Sequence, residues 1–367
     1  MKICTGTVAL KGFLSRMLIL SFIFVGLWLL IVPQSRGCNV PVYRYALERW
    51  PADLYEVSVF HRGSMTPAEQ ALLEKLQYDS GANIYVSTFD ISEKLDQQAL
   101  DLWKSQSTPE LPWMVLTYPR HLQVNETAWA SHFTDSNVEM LLHSPVRKKV
   151  ADRILEGDSA VWILMESGVK EKDEATANFL DAQLKRMEEN LEVPEQNDYE
   201  QYMGYELAEE LKIAFSVVHL ARTDPAEQVL IQTLLRNDPE LQTTKEPIVF
   251  PVFARGRAFC ALMGDDIDDF IIEEISMFLT GPCSCQVKAM NPGMDLLISM
   301  DWDVVLGQRV AEYTEQPLVT KTAAPIVVND KSSGTLKRNI LIVALIQVAV
   351  IILAASIVLW RRKRREL

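Results

Sequence analysis

Tyr55-Glu-Val-Ser-Val-Phe60, separated by six residues from Pro67-Ala-Glu-Gln-Ala-Leu-Leu-Glu-Lys-Leu76, sets the pattern by which the rest of the chain is read. The first stretch is rich in β-forming residues. The second begins a helix, because Thr66 can cap its free amides and Pro67 takes the first helical position, where the missing N–H costs nothing. Outward from this unit the same alternation continues. Ile84–Phe89 reads as a strand, Ser92–Lys104 as a helix and Pro112–Tyr118 as a strand opened by a proline, and Asn137–Glu156 is helical with an interruption near Pro145. It then restarts with Ala160–Glu166 as a strand ending at Gly168, Asp173–Leu191 as a helix, Ile213–Val218 as a strand and Pro225–Leu235 as a helix. Pro247–Phe253 and Ala258–Met263 follow as strands, and Asp268–Leu279 closes the series as a helix. Strands and helices alternating at this spacing imply an α/β architecture with parallel strand pairs and helices on the sheet faces.

The order β-α-β-α-β-β-α, with a proline at the mouth of the third strand, resembles the thioredoxin fold. The resemblance covers residues of about 158–280 throughout and the first three strands of about 54–156. It implies two tandem thioredoxin-like domains, at 38–157 and 158–306, the second ending in a hairpin of Gln286–Met290 and Met294–Trp302 around Asn291-Pro292-Gly293. A dithiol enzyme of that fold needs a Cys-x-x-Cys pair where the first helix begins, because the helix N-terminus lowers a thiol pKa. The matching stretches here are His61-Arg-Gly-Ser-Met65 and Ser167-Gly-Val-Lys-Glu171, and neither holds a cysteine. The resemblance therefore implies the fold without dithiol oxidoreductase activity.

The two ends of the chain read differently from its middle. Residues 340–360 (ILIVALIQVAVIILAASIVLW) form an uncharged run closed by the basic tail 361–367. At about 1.5 Å per residue such a helix spans the roughly 30 Å hydrocarbon core of a bilayer. Residues 339–360 are thus expected to be a transmembrane helix, with the basic tail on the cytoplasmic side. Residues 1–37 combine Lys2, Lys11 and Arg16 with the apolar Met17–Val32, the pattern of a signal peptide or an N-terminal anchor. Ser35-Arg-Gly-Cys38 resembles a bacterial lipobox, which implies lipidation of Cys38, but it departs from that pattern at Ser35 and Arg36. Cys38–Trp50 also resembles the start of an uncharacterised group of exported bacterial proteins, and this brings no activity with it. The polar, irregular residues 307–338 are expected to be a tether. This topology places the bulk of the chain outside the cytoplasm, in the periplasm, with a membrane anchor and an envelope protein partner.

Charge supports that separation. Residues 1–37 carry +4 and residues 337–367 carry +6 of a total of −13, which leaves −23 on residues 38–336. An acidic body of this size repels nucleic acid, so no nucleic-acid partner is expected.

With five cysteines, the fold must rest on apolar cores instead of disulfides. The sharpest local feature is Cys283-Ser-Cys285. Two thiols one residue apart can chelate a soft metal ion, close a small strained disulfide or simply pack. Cys283 and Cys285 are the candidate metal ligands, Cys260 on a predicted strand is a possible third, and no other cofactor is implied. Acidic residues around Gly264–Asp269 miss the glycine and glutamate positions of a calcium loop and read as a helix start. The chain has no Gly-x-Ser-x-Gly elbow, phosphate loop or His-Glu-x-x-His motif, so no catalytic residue is expected. The expectation is an envelope accessory or scaffold protein, with a thiol-redox or metal-binding protein using Cys283 and Cys285 as the alternative.

Overall fold

A computed structural model describes residues 39–79, 81–107, 109–124, 126–194, 211–283 and 288–315. Residues 1–37, expected to be a signal peptide or anchor, lie outside them, as do Cys38, Cys285 and the apolar run 340–360. Among the described residues no helix is long and apolar enough to cross a membrane. The structure is a mixed α/β arrangement of two sheets with helices.

The first half runs α1 (Val42–Arg49), β1 (Tyr55–His61), α2 (Pro67–Glu74), β2 (Ile84–Asp90), α3 (Gln97–Lys104), β3 (Trp113–Thr117), β4 (Thr127–His132), α4 (Asp135–Leu142) and α5 (Pro145–Leu155). Its sheet has the order β2-β1-β3-β4. β1 and β2 are parallel, with Tyr55 opposite Ile84 and His61 opposite Asp90, and β3 runs antiparallel to both β1 and β4. Thr66 and Glu69 form a reciprocal capping box at α2, an arrangement that satisfies two free donors and is worth about 1 kcal/mol. Side chains alternate across a strand, and β1 shows it. Tyr55, Val57 and Val59 enter the main core, while Phe60 joins Ala99 and Val115 in a small separate cluster on the opposite face. There Phe60 stacks on Phe89 at 5.3 Å and lies 5.1 Å from Trp103 of α3.

The second half runs β5 (Ala160–Glu166), α6 (Lys170–Asn190), β6 (Phe215–Ala221), α7 (Gln228–Leu235), α8 (Pro239–Thr243), β7 (Ile248–Phe253), β8 (Arg257–Ala258), β9 (Leu262–Met263), α9 (Asp269–Thr280), β10 (Met294–Asp295) and α10 (Trp302–Glu315). The sheet follows β10-β8-β7-β5-β6, with β9 also on β7. β5 is parallel to β6 and antiparallel to β7. Both alternating sets of β5 are buried, Ala160, Trp162 and Leu164 as well as Val161, Ile163 and Met165, so both of its faces are covered. Helices α5 and α6 pack against this parallel pair.

Four local expectations change. Ala258–Met263 is two short strand pieces, β8 and β9, separated by Phe259, Cys260 and Ala261, so Cys260 is not on a strand. The predicted hairpin is absent among the described residues. Lys288–Met290 is a 3-10 turn, and Met294–Asp295 pairs with β8. Residues 302–315 are helical and run through the expected start of the tether at 307. A further strand, β4, follows Tyr118, where the residues carry no clear pattern.

The two sheets share one apolar core, which includes Val57 and Leu116 from the first and Ile163 and Phe253 from the second. Buried polar groups stitch them together. Tyr118 donates to Thr233 O at 2.7 Å, and Arg147 donates to Leu141 O at 2.7 Å and Leu297 O at 2.5 Å. Burial pulls the Arg147 guanidinium down to about 10, against the opposing field of Glu227. Arg257 donates to Asp295 at 2.8 Å, and Lys288 lies 2.9 Å from Asp53. Asn83 donates to Leu296 O and accepts from Ile298 N. The segment around residues 294–298 is thereby strapped to the first half.

Candidate functional site

Three places could carry chemistry. The cysteine segment is the first. Cys283 is buried, and its amide donates to Val40 O at 2.7 Å, next to an antiparallel bridge between Pro41 and Pro282. Cys260 is half-buried beside a cavity of about 210 Å³ lined by Leu234, Phe250 and Phe259, and burial pushes its thiol up to about 11. Such a thiol is a poor nucleophile at neutral pH. Among the described residues no three His, Cys, Asp or Glu side chains are grouped to hold a metal.

The second place is the carboxyl edge of each parallel strand pair. In the first half the turn after β1 is closed by Asp90. Its carboxylate accepts from Ser92 N at 2.9 Å and Gly63 N at 3.1 Å, and also from the Ser92 hydroxyl. Those hydrogen bonds, from Ser92 first and then Gly63, hold the Asp90 carboxyl at about 2. His61 Nδ1 donates to Gly63 O at 2.8 Å. The second half repeats the device with different residues. Asp173 accepts from Ser167 N at 2.7 Å and Gly168 N at 3.0 Å, while His219 Nδ1 lies 2.9 Å from Glu166. Gly63 and Gly168 each stand two residues past their strand with positive φ, which a side chain would disfavour. Both turns spend their carboxylates on backbone amides. What they build is a stable loop, in which the Ser92 and Ser167 hydroxyls donate to the same carboxylates as the amides do.

The third place is a groove of about 930 Å³ on the outer face of the first sheet. Helix α3 covers only the part of that face occupied by Phe60, Phe89 and Val115. Beyond it the floor is polar, with Glu56 and Ser58 from β1, Ser87 from β2 and Thr117 from β3. Its walls are Gln98, Asp101 and Leu102 of α3 with Ser105 just past its end on one side, and Arg120, Gln123, Val124, Glu126 and Thr127 on the other. Arg120 is held by Glu56 at 2.9 Å, and this ion pair raises the guanidinium pKa further. Ser58 is only 1% exposed and sits on the groove floor. Tyr85 stands 59% exposed beside it.

Sequence reasoning passed over this groove, although a signal was present. Glu56 and Ser58 alternate with Tyr55, Val57 and Val59, the mark of a strand whose second face is not fully packed. No protein-family model matches the chain, and no curated protein matches it in sequence.

Proposed function

We propose that this chain is an accessory or scaffold protein of a cell-envelope complex, held to the membrane by residues 339–360 with its body outside the cytoplasm. In this reading both halves are thioredoxin-like domains that have kept the framework and lost the dithiol. Strand order supports it. In each half the first two strands are parallel, the third is antiparallel to the first, and a fourth pairs antiparallel with the third. Pro112 precedes β3 and Pro247 precedes β7, as the resemblance implies.

The observation that carries a binding role is the groove. A polar, half-open sheet face of this size offers a surface for a partner, while the thioredoxin-type dithiol positions are occupied by His61–Met65 and Ser167–Glu171. The test is photocrosslinking in intact cells, with a photoreactive amino acid at Tyr85 or, as a control, at the exposed Phe270 of the second half. The expected result is one discrete, stoichiometric adduct from position 85 that is absent from position 270. A full-length protein that purifies as a monodisperse particle and gives no adduct at position 85 would overturn the scaffold reading.

A further inference from the structure

We infer that the groove on the first sheet docks an extended, basic segment of a protein partner, laid along the free edge of β2; this rests on the scaffold reading above and gives it a partner chemistry. The first observation is the edge itself. β2 pairs with β1, and among the described residues no strand pairs with its other side; the bridge of Ala82 to Ser299 stops two residues before β2 begins. A strand left this way presents a row of backbone donors and acceptors that an extended chain can satisfy. All five consecutive residues Tyr85–Phe89 line the groove. Side chains alternate across a strand, so five in a row can line one space only if the strand's backbone borders it. Groove and open edge therefore form one continuous surface.

Ser58 supplies the second observation. Its side chain lies on the groove floor beside Ser87 of β2 and Glu56 of β1, so polar groups line the floor next to the β2 edge, where a ligand can meet them. Charge then selects among extended chains. The described lining residues carry Glu56, Asp96, Asp101 and Glu126 against Arg120 alone, and Arg120 is already held by Glu56. The excess is negative, so Lys or Arg side chains are favoured and an acidic peptide is repelled. Phe89 and Leu102 add apolar lining, against which apolar side chains alternating with the basic ones can pack.

The test uses the full-length chain in nonionic detergent and a fluorescein-labelled nonapeptide of alternating Lys and Val, read by anisotropy. Three competitors accompany it: the same peptide with Glu for Lys, the same peptide N-methylated at alternate amides, and a tetramer of N-acetylglucosamine. The Lys–Val peptide is expected to bind. Asp101→Lys and N-methylation should each weaken it by about tenfold, as loss of a charged or backbone hydrogen bond implies. The Glu peptide and the sugar should not compete. Among the described residues the Asp101 carboxylate accepts only from Gln97 of its own helix, so Asp101→Lys should leave the urea midpoint unchanged. Hydrogen exchange should show β2 amides gaining protection when the Lys–Val peptide is added.

Equal affinity for the N-methylated peptide, equal affinity in Asp101→Lys, or displacement by the sugar would overturn strand docking. A position-85 adduct in cells together with failure of the Lys–Val peptide would remove this inference and leave the scaffold reading standing. Peptide binding without any cellular adduct would do the reverse.

Discussion

The chain builds its two sheets on similar strand orders and finishes them differently. β5 reads AVWILME, and its first six residues are buried. β1 reads YEVSVFH, and β2 beside it has no buried residue at all. In the second half every position of β5 before Glu166 is spent on packing. In the first, one face feeds the core while the other is half covered by the eight-residue α3. The contrast teaches that one sheet can serve as framework while its neighbour keeps surface for recognition, since an apolar strand buried on both faces has no side chain left for a ligand.

The largest effects should separate these roles. Trp162→Ala, in the closed sheet, should cost about 4 kcal/mol, whereas Phe89→Ala beside the groove should cost about 1, because Phe89 is only half-buried. Urea unfolding of the two variants checks this, and equal losses would break the comparison. Arg147→Met, at the joint between the halves, should cost about 3 kcal/mol, since it strands the carbonyls of Leu141 and Leu297 and removes a cation that interacts with buried Glu227. The same unfolding curve, followed by separate tryptophan and circular-dichroism signals, shows whether the halves still melt together.

Chemical probes give smaller and sharper readings. Cys260, with its thiol raised to about 11 against an ordinary 9, should be alkylated about a hundredfold more slowly at pH 8 in the folded protein than after unfolding. Mass spectrometry of iodoacetamide-treated protein measures this at residue 260. On the rim of the first sheet, the Asp90 carboxyl is depressed below its ordinary 3.8 to about 2. The contribution is therefore present above about pH 4 and is lost as pH falls toward 2. NMR titration of the Asp90 carboxyl carbon should find its midpoint near the lower value, and Ser92→Ala should move that midpoint up.

Much of this contrast was legible in the residues. The β-α alternation, the cap at Thr66 and the prolines at 112 and 247 gave the elements and their order, because those signals are local. What the sequence hid depends on distant partners. β4 was missed because Ala128, Trp129 and Ala130 gain their meaning from β3. The hairpin was misread because Asp295 is claimed by Arg257 and Lys288, and Met294 pairs with Ala258. Ala258–Met263 looked like one strand because its break at Phe259–Ala261 carries no turn residue. Of the candidate metal ligands, Cys283 is buried beside the N-terminal segment, and Cys285 lies outside the described residues. The groove went unseen because no single motif marks it. It arises where Ser58, Ser87, Thr117 and Asp101, far apart in sequence, come to border one space.

Native-state hydrogen exchange on the full-length chain tests the central contrast most directly. If the first sheet keeps a free edge, the β2 amides turned away from β1 exchange at nearly unprotected rates, while those of β5 and β7 are among the slowest in the molecule. If the β2 amides prove as protected as those of β5, the edge is already covered and the groove is not the open recognition surface described above.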